Sequence, residues 1–286
     1  MAGGFSARVL LDSTSPAGAR LVTMELRYPR FIHSEVMTHR VFSRNSASSR
    51  AVPIKKMIAT VREHPAMPIF WGRNQSGMAA REEIEPDVRA LAEREWRSAL
   101  ESAIATAEKL SDSDVNLHKQ LVNRILEPFA WMTTIVTATE WANFFTQRCH
   151  PDAQPELAHL AALMLAEFRG SRSQAVPSGD WHLPLIQSDE GGLILEDRKK
   201  ISVARCARVS YLTHDGRRDP ARDLDLYEKL LGGGANGHWS PFEHVAAPQA
   251  DGDVFFANFR GWRQLRSFFL AENVRTFPDE RAMVST

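Results

Sequence analysis

Apolar and polar residues alternate from Val22 to Tyr28, the two-residue period of a half-buried strand; residues 8–12 and 21–28 read as two strands, and the turn-rich STSPAGA separates them. The period turns helical over residues 54–64. Pro, Gly and Asn at turn spacing then make 65–79 a loop, with Phe70 and Trp71 read as packing residues. A long helix is predicted from Pro86, a first-turn position that tolerates proline, with Leu91, Trp96, Leu100, Ala103, Ile104, Ala107 and Leu110 mostly on one face. The SDSD cluster ends it and can cap a second helix over 115–126, which Pro128 breaks. The most apolar stretch, 125–145, is interrupted by Glu127, Pro128, Glu140 and Asn143. It reads as a buried helix rather than a membrane span, with the helix proper over 134–145.

Farther along, a helix is predicted from Pro155 to Phe168, and 170–200 is the best linker candidate, although Trp181 to Ile186 is too apolar to lie fully exposed. Another helix covers 220–231. Asp219 caps it, Leu224, Tyr227, Leu230 and Leu231 face inward, and Gly232 to Gly234 stop it. The tail from Asn258 through Arg266 onward reads as a closing helix.

With 286 residues the chain can bury a sizeable core, and 43% apolar and 24% charged residues are ordinary for a globular protein. Two cysteines, Cys149 and Cys206, supply neither a disulfide framework nor a cysteine metal site, and no metal-ligand set is assigned. The opening MAGGFSARVLLD has no apolar signal-peptide core, so a cytoplasmic protein is expected. Thirty-five basic residues balance thirty-five acidic ones. Against that neutral background, five arginines and two histidines face one acid, Glu35, between Arg27 and Arg50. This is a local field, and its guanidinium forks, hydroxyls and amide suit a phosphate beside a heterocycle.

The spacing within that field is informative. THRVFSRNSASSR resembles the signature of the flavin-dependent thymidylate synthases, R-H-R-x-x-S-x-N-E-x-S-x-R-Y, with His39, Arg40, Ser43, Asn45, Ser48 and Arg50 in register. Thr38, Ser46 and Ala51 stand where that family has Arg, Glu and Tyr. Pro29 lies eleven residues before Arg40, as in the family, and Glu35 replaces a usual Gln. Downstream, Arg124-Ile-Leu-Glu-Pro resembles R-x-x-L-P, and Asn143-Phe-Phe-Thr-Gln-Arg148 followed by Gln154-Pro-Glu156 resembles N-F-x-x-x-R…A-Q-x-E. Thr137 and Thr139 occupy the places of two of the family's flavin contacts. A third block, Ala207-Arg-Val-Ser210-Tyr211 and Gly237-His238-Trp-Ser240-Pro-Phe-Glu243-His244, resembles the family's opening half. Here it follows the arginine-rich motif, the order a circular permutation would produce.

The resemblance implies one α+β domain over residues 1–286, a twisted, mainly antiparallel sheet flanked by helices in permuted order. Residues 1–170 would carry the nucleotide motif and the helical part, and 171–286 the flavin and folate side. It implies reductive methylation of dUMP to dTMP at carbon 5, with FAD, with NADPH and methylenetetrahydrofolate as co-substrates, in a homotetramer with shared active sites. Arg148 would stabilise charge developing on the pyrimidine, with His39 and Ser48 also at the catalytic centre. Glu35, Ser48, Ser49, Arg50, Arg124 and Arg148 would bind the nucleotide. His39, Arg40, Asn45, Asn143, Ser210, His238, Ser240 and Glu243 would hold the cofactor. A guanidinium beside Cys149 raises a thiolate route, but the expectation is that Cys149 only packs.

Three other readings remain at this level. Thr38, Ser46 and Ala51 leave room for another pyrimidine nucleotide or another carbon-5 product such as hydroxymethyl. A nucleic-acid-binding protein using the 27–50 face is opposed by net neutrality and by the lack of a recognisable binding motif. A metal hydrolase built on His238, Glu243 and His244 is weaker, since Pro241 argues against a helix there.

Overall fold

The structure, a computed structural model, describes residues 4–211, 218–232 and 237–269, with backbone alone for 210 and 211. The two strands expected near the N-terminus are found, β1 (Ser6–Thr14) and β2 (Arg20–Pro29), paired as a hairpin. A short helix α1 (His33–Met37) and strand β3 (Ser43–Ser46) follow. Helices α2 (Ile54–Glu63), α3 (Pro86–Ser111) and α4 (Lys119–Leu126) then pack as a bundle around Val61, Leu100, Ile104, Val122 and Leu126. Pro86 stands in the first turn of α3, as expected.

Helix α4 starts at Lys119 rather than near 115. Asn116 takes a left-handed φ of 48°, and the His118 ring caps the helix by accepting from the Gln120 N–H. The next departure is larger. Residues 134–145 are not one helix but strand β4 (Trp131–Ala138) followed by helix α5 (Ala142–Arg148). WMTTIVTA is rich in β-branched residues, whose stiff side chains favour strands, and β4 runs between β3 and β2 with both faces largely buried, so apolar and polar positions do not alternate.

Helix α6 (Pro155–Gly170) and the short β5 (Gln174–Ala175) complete a five-stranded sheet in the order β3-β4-β2-β1-β5. All its pairings are antiparallel except β1 with β5. The expected α+β class and mainly antiparallel sheet are therefore found. Val22, Met24, Leu26 and Tyr28 of β2 pack under Trp141, which precedes α5, and under Phe144, Leu157 and Leu160 of α5 and α6. Each such burial contributes roughly 1.5–3 kcal/mol.

The linker candidate narrows, because helix α7 (Leu195–Tyr211) begins inside it, and His182 and Leu183 are buried. Helix α8 (Pro220–Leu231) is capped by Asp219, whose side chain accepts from the Arg222 N–H. Tyr227 and Leu230 turn inward as expected, while Leu224 and Leu231 are only partly covered. The tail is not a helix through residue 266. After β6 (Ala246–Pro248) and β7 (Phe255–Phe256), it forms β8 (Phe259–Arg260) and β9 (Trp262–Gln264), then a single 3₁₀ turn, Leu265–Phe268; the rest of the expected helix, beyond 269, lies outside the described residues. Gly261 explains this: its φ is +69°, and a Cβ there would lie 2.6 Å from Ala19 Cβ.

A buried polar chain ties this C-terminal part to the sheet. Ser13 Oγ lies 2.7 Å from His182 Nδ1, and His182 Nε2 lies 2.8 Å from Thr23 Oγ1. Thr23 meets Thr137 at 2.7 Å, and Thr137 meets His244 Nδ1 at 2.8 Å. All five side chains are almost fully buried.

Candidate active site

In β3, paired with β4, successive side chains alternate, so Ser43 and Asn45 are buried while Arg44 and Ser46 are partly open. The buried pair joins distant segments. Asn45 donates to the Cys206 carbonyl of α7 at 2.8 Å and accepts from the Ser240 hydroxyl at 3.0 Å. Ser43 accepts from Gln264 at 2.8 Å and Asn258 at 3.0 Å.

That junction opens a cavity of about 740 Å³. Its walls are His33 and Met37 of α1, Arg44, Asn45 and Ser46 of β3, Ser48, Arg50 and Ala51 after it, His118 and Gln120 at the start of α4, and Gly237, His238 and Ser240. Two guanidinium groups and many neutral donors line it, and among the described residues no carboxylate does. Burial pushes His33 down to about 4, assisted by Arg30 and Arg44, and also lowers His238. These rings are therefore neutral near pH 7, leaving Arg44 and Arg50 as the fixed charges. Burial lowers Arg44 as well, with Glu243 opposing. The chemistry of such a wall is that of a phosphate site.

Helix α1 is the partition between this cavity and a second. His33 and Met37, four residues apart, face the first, whereas Glu35 lines a cavity of about 530 Å³ with Arg148, Asp152, Gln154 and Glu156. Pro68 and Phe70 of the 65–79 loop wall that second cavity. Arg148 Nε donates to His39 Nε2 at 2.9 Å, and a terminal nitrogen lies 3.5 Å from Thr38 Oγ1. Burial, then Arg148 and Arg44, pushes His39 down to about 4. It is a neutral acceptor that aims the guanidinium, with Phe144 edge-on at 4.8 Å.

The structure thus brings Asn45, Ser48, Arg50, His238 and Ser240 to one cavity, and Glu35 and Arg148 to another with His39 behind them. Other expected residues stand elsewhere. Ser49 turns inward to Glu127 at 2.6 Å, and Glu243 is paired with Arg266. Arg40, Arg124 and Asn143 are exposed and line neither cavity. Arg124 reaches Glu127 at 3.4 Å, and Asn143 accepts from Gln147 at 3.2 Å. The Ser210 side chain lies outside the described residues. Asn45 is a junction residue, since both ends of its amide are engaged. Thr137 belongs to the buried polar chain, and Thr139 accepts from the Arg260 N–H at 3.0 Å.

His33, His118 and Gln120 were not singled out by the sequence, and Arg44 only as one member of the basic cluster around the motif. Arg44 sits at a variable position of the motif and His33 four residues before Met37, so spacing on α1 could have found that pair. Nothing local marks His118. The residues of the metal reading diverge: His238 lines the first cavity, Glu243 pairs with Arg266, and His244 faces Thr137. Cys149 is exposed, and desolvation raises its thiol pKa, opposed by Arg169.

An α+β protein with a donor-lined, phosphate-suited cleft between its sheet and a C-terminal segment is the class these features define. The sequence model described as thymidylate synthase complementing protein matches residues 9–171, more than half of the chain, and the protein belongs to that family. No curated protein matches the sequence. Among solved structures the chain is similar to a UMP/dUMP methylase PolB from Streptomyces cacaoi bound with 5-Br UMP. Identity there is 16% over 58% of this chain and 89% of that one, with a TM-score of 0.49. The same methylase bound with 5-Br dUMP gives 16% identity over 58% and 91%, with a TM-score of 0.47. Among the described residues no helix is long and apolar enough to cross a membrane.

Proposed function

We propose that the chain methylates carbon 5 of a uridine nucleotide, reductively and with FAD. The observation that carries this reading is the meeting of residues 44–51 with 237–240, nearly two hundred residues apart, around one cavity that no carboxylate lines among the described residues. Its donor set suits a phosphate-bearing group, with Ser48 and Arg50 for the nucleotide and His238 and Ser240 for the flavin side. When bound, reduced FAD supplies hydride, with NADPH as reductant and methylenetetrahydrofolate as carbon donor. The family membership supports this assignment of cofactors.

The chain's own part is orientation and charge. Carbon 5 of uracil is a poor nucleophile, and a cationic donor at a ring oxygen stabilises the electron density that must build there. Arg148 fits that role because neutral His39 fixes its direction without drawing off its charge. Glu35 in the same cavity accepts from a ring N–H. Arg50 and Arg148 line different cavities of one chain, so in this reading each active site is completed by a second copy. Exposed Arg40, Arg124 and Asn143 would then face a partner's cleft within a homotetramer. The order of the blocks follows from circular permutation: the present ends fall where the family runs from its opening half into the arginine-rich motif, and the former ends are rejoined between residues 156 and 207.

The test is tritium release from carbon-5-labelled dUMP and UMP, with FAD, NADPH and methylenetetrahydrofolate each omitted in turn. Release is expected to require all three, and Arg148→Ala to lower it about 100- to 1000-fold. A protein that binds no flavin and releases no tritium from either nucleotide would refute the assignment. Mass spectrometry of the product separates methyl from hydroxymethyl.

A further inference from the structure

A third cavity, of about 460 Å³, lies on the other side of the 47–52 loop and shares only Ser48 with the nucleotide cleft. Arg27 of β2, Trp131 of β4, and Lys56 and Thr60 of α2 line it, with Val52 and Met57 as apolar wall. Arg27 lies over the Trp131 ring at 5.5 Å, and among the described residues it has no carboxylate partner. Its Nε and the Trp131 Nε1 are both buried donors without an acceptor. The neighbouring charges do not supply one. Arg30 is paired with Glu127 at 2.9 Å, and Glu63, the carboxylate in the wall, lies 3.6 Å from His64 Nε2.

A half-buried guanidinium without a counter-ion is costly, and so are two orphaned N–H groups beside it. Burial lowers the Arg27 pKa accordingly. A ligand bringing an oxyanion would offset these terms, and the volume is that of an ordinary small-molecule site. We propose that this cavity binds the carboxylate or phosphate of a small ligand with an apolar body, at a site separate from the nucleotide cleft. Arg27 is the anchoring cation, Lys56 the cation at the mouth, and Trp131 with Met57 the surface for the apolar part. The site stands or falls independently of the methylase reading, since neither Arg27 nor Lys56 belongs to that machinery.

Calorimetric titration of the full chain with two probes, inorganic phosphate and benzoate, tests this. In an Arg50→Ala background, which weakens the nucleotide cleft's own hold on phosphate, saturable binding of at least one is expected to persist, weakened tenfold or more by Arg27→Met and about three- to tenfold by Lys56→Ala. Saturation by phosphate alone identifies a phosphate ligand, and by benzoate alone an aromatic carboxylate. Lys56 is exposed, so its variant decides the matter even if Arg27→Met fails to fold. The proposal is overturned if neither probe saturates, if binding survives Lys56→Ala undiminished, or if Arg50→Ala removes it and so places the anion in the nucleotide cleft.

Discussion

Acid should loosen this fold well before its carboxylates titrate. His182 and His244 stand at the middle and end of the buried chain that runs from Ser13 through Thr23 and Thr137. Burial pushes both rings down from 6.5 to about 3, with mutual repulsion adding to the shift of His182. Among the described residues His244 Nε2 has no partner, so a proton there would be an uncompensated buried charge. The sign follows from linkage. The unfolded chain binds protons on these rings below about pH 6.5 while the folded chain does not, so stability is complete above that pH and is lost as pH falls toward 3. Each ring contributes roughly 1.4 kcal/mol per pH unit within that window. Between pH 7 and 5.5 the pair should therefore remove about 3 kcal/mol, a large fraction of the roughly 5–15 kcal/mol that holds a domain folded. His33 and His39, both pushed down to about 4, act in the same direction. Glu190 acts only in more acid solution, because hydrogen bonding from Arg205 holds its carboxyl below 4.5. Urea unfolding followed by tryptophan fluorescence at half-unit steps from pH 7.5 to 5.5 measures the slope. A flat profile would falsify the reasoning, and so would a His182→Gln, His244→Gln double variant that folds and remains as steep as the parent.

Three further outcomes are expected. Asn45→Ala should destabilise by about 2–4 kcal/mol, because two buried hydrogen bonds joining β3, α7 and the Ser240 segment are lost together; chemical denaturation reads this, and a change below 1 kcal/mol would contradict the junction role. Gly261→Ala should lose about 1–3 kcal/mol, since it forces a side chain into a left-handed φ of +69° against Ala19. An unchanged melting temperature would show that the strand cluster can shift to accept it. Cys149→Ser should keep most turnover, as the thiol is exposed and its pKa is raised, which disfavours thiolate. Abolished tritium release with flavin still bound would restore the nucleophile reading.

Local order was written plainly in the residues. The hairpin of β1 and β2, the proline-started α3 and the Asp219-capped α8 all follow from periods and caps acting within a few residues. The family motif was equally legible, since a spacing of arginine, serine and asparagine survives in one dimension. What burial governs was not. Strand β4 was mistaken for helix because a central strand shows no alternation, and the tail was misread because Gly261 acts through a contact with Ala19 that is distant in the chain. Nor does spacing reveal that Asn45 is wholly occupied in joining segments, that α1 divides Arg148 from Arg50, or that His118 reaches the cleft. Periodicity and capping depend on neighbours a turn away, whereas cavities and spent hydrogen bonds depend on which remote groups arrive, and that is set when the sheet, the bundle and the C-terminal segment close on one another.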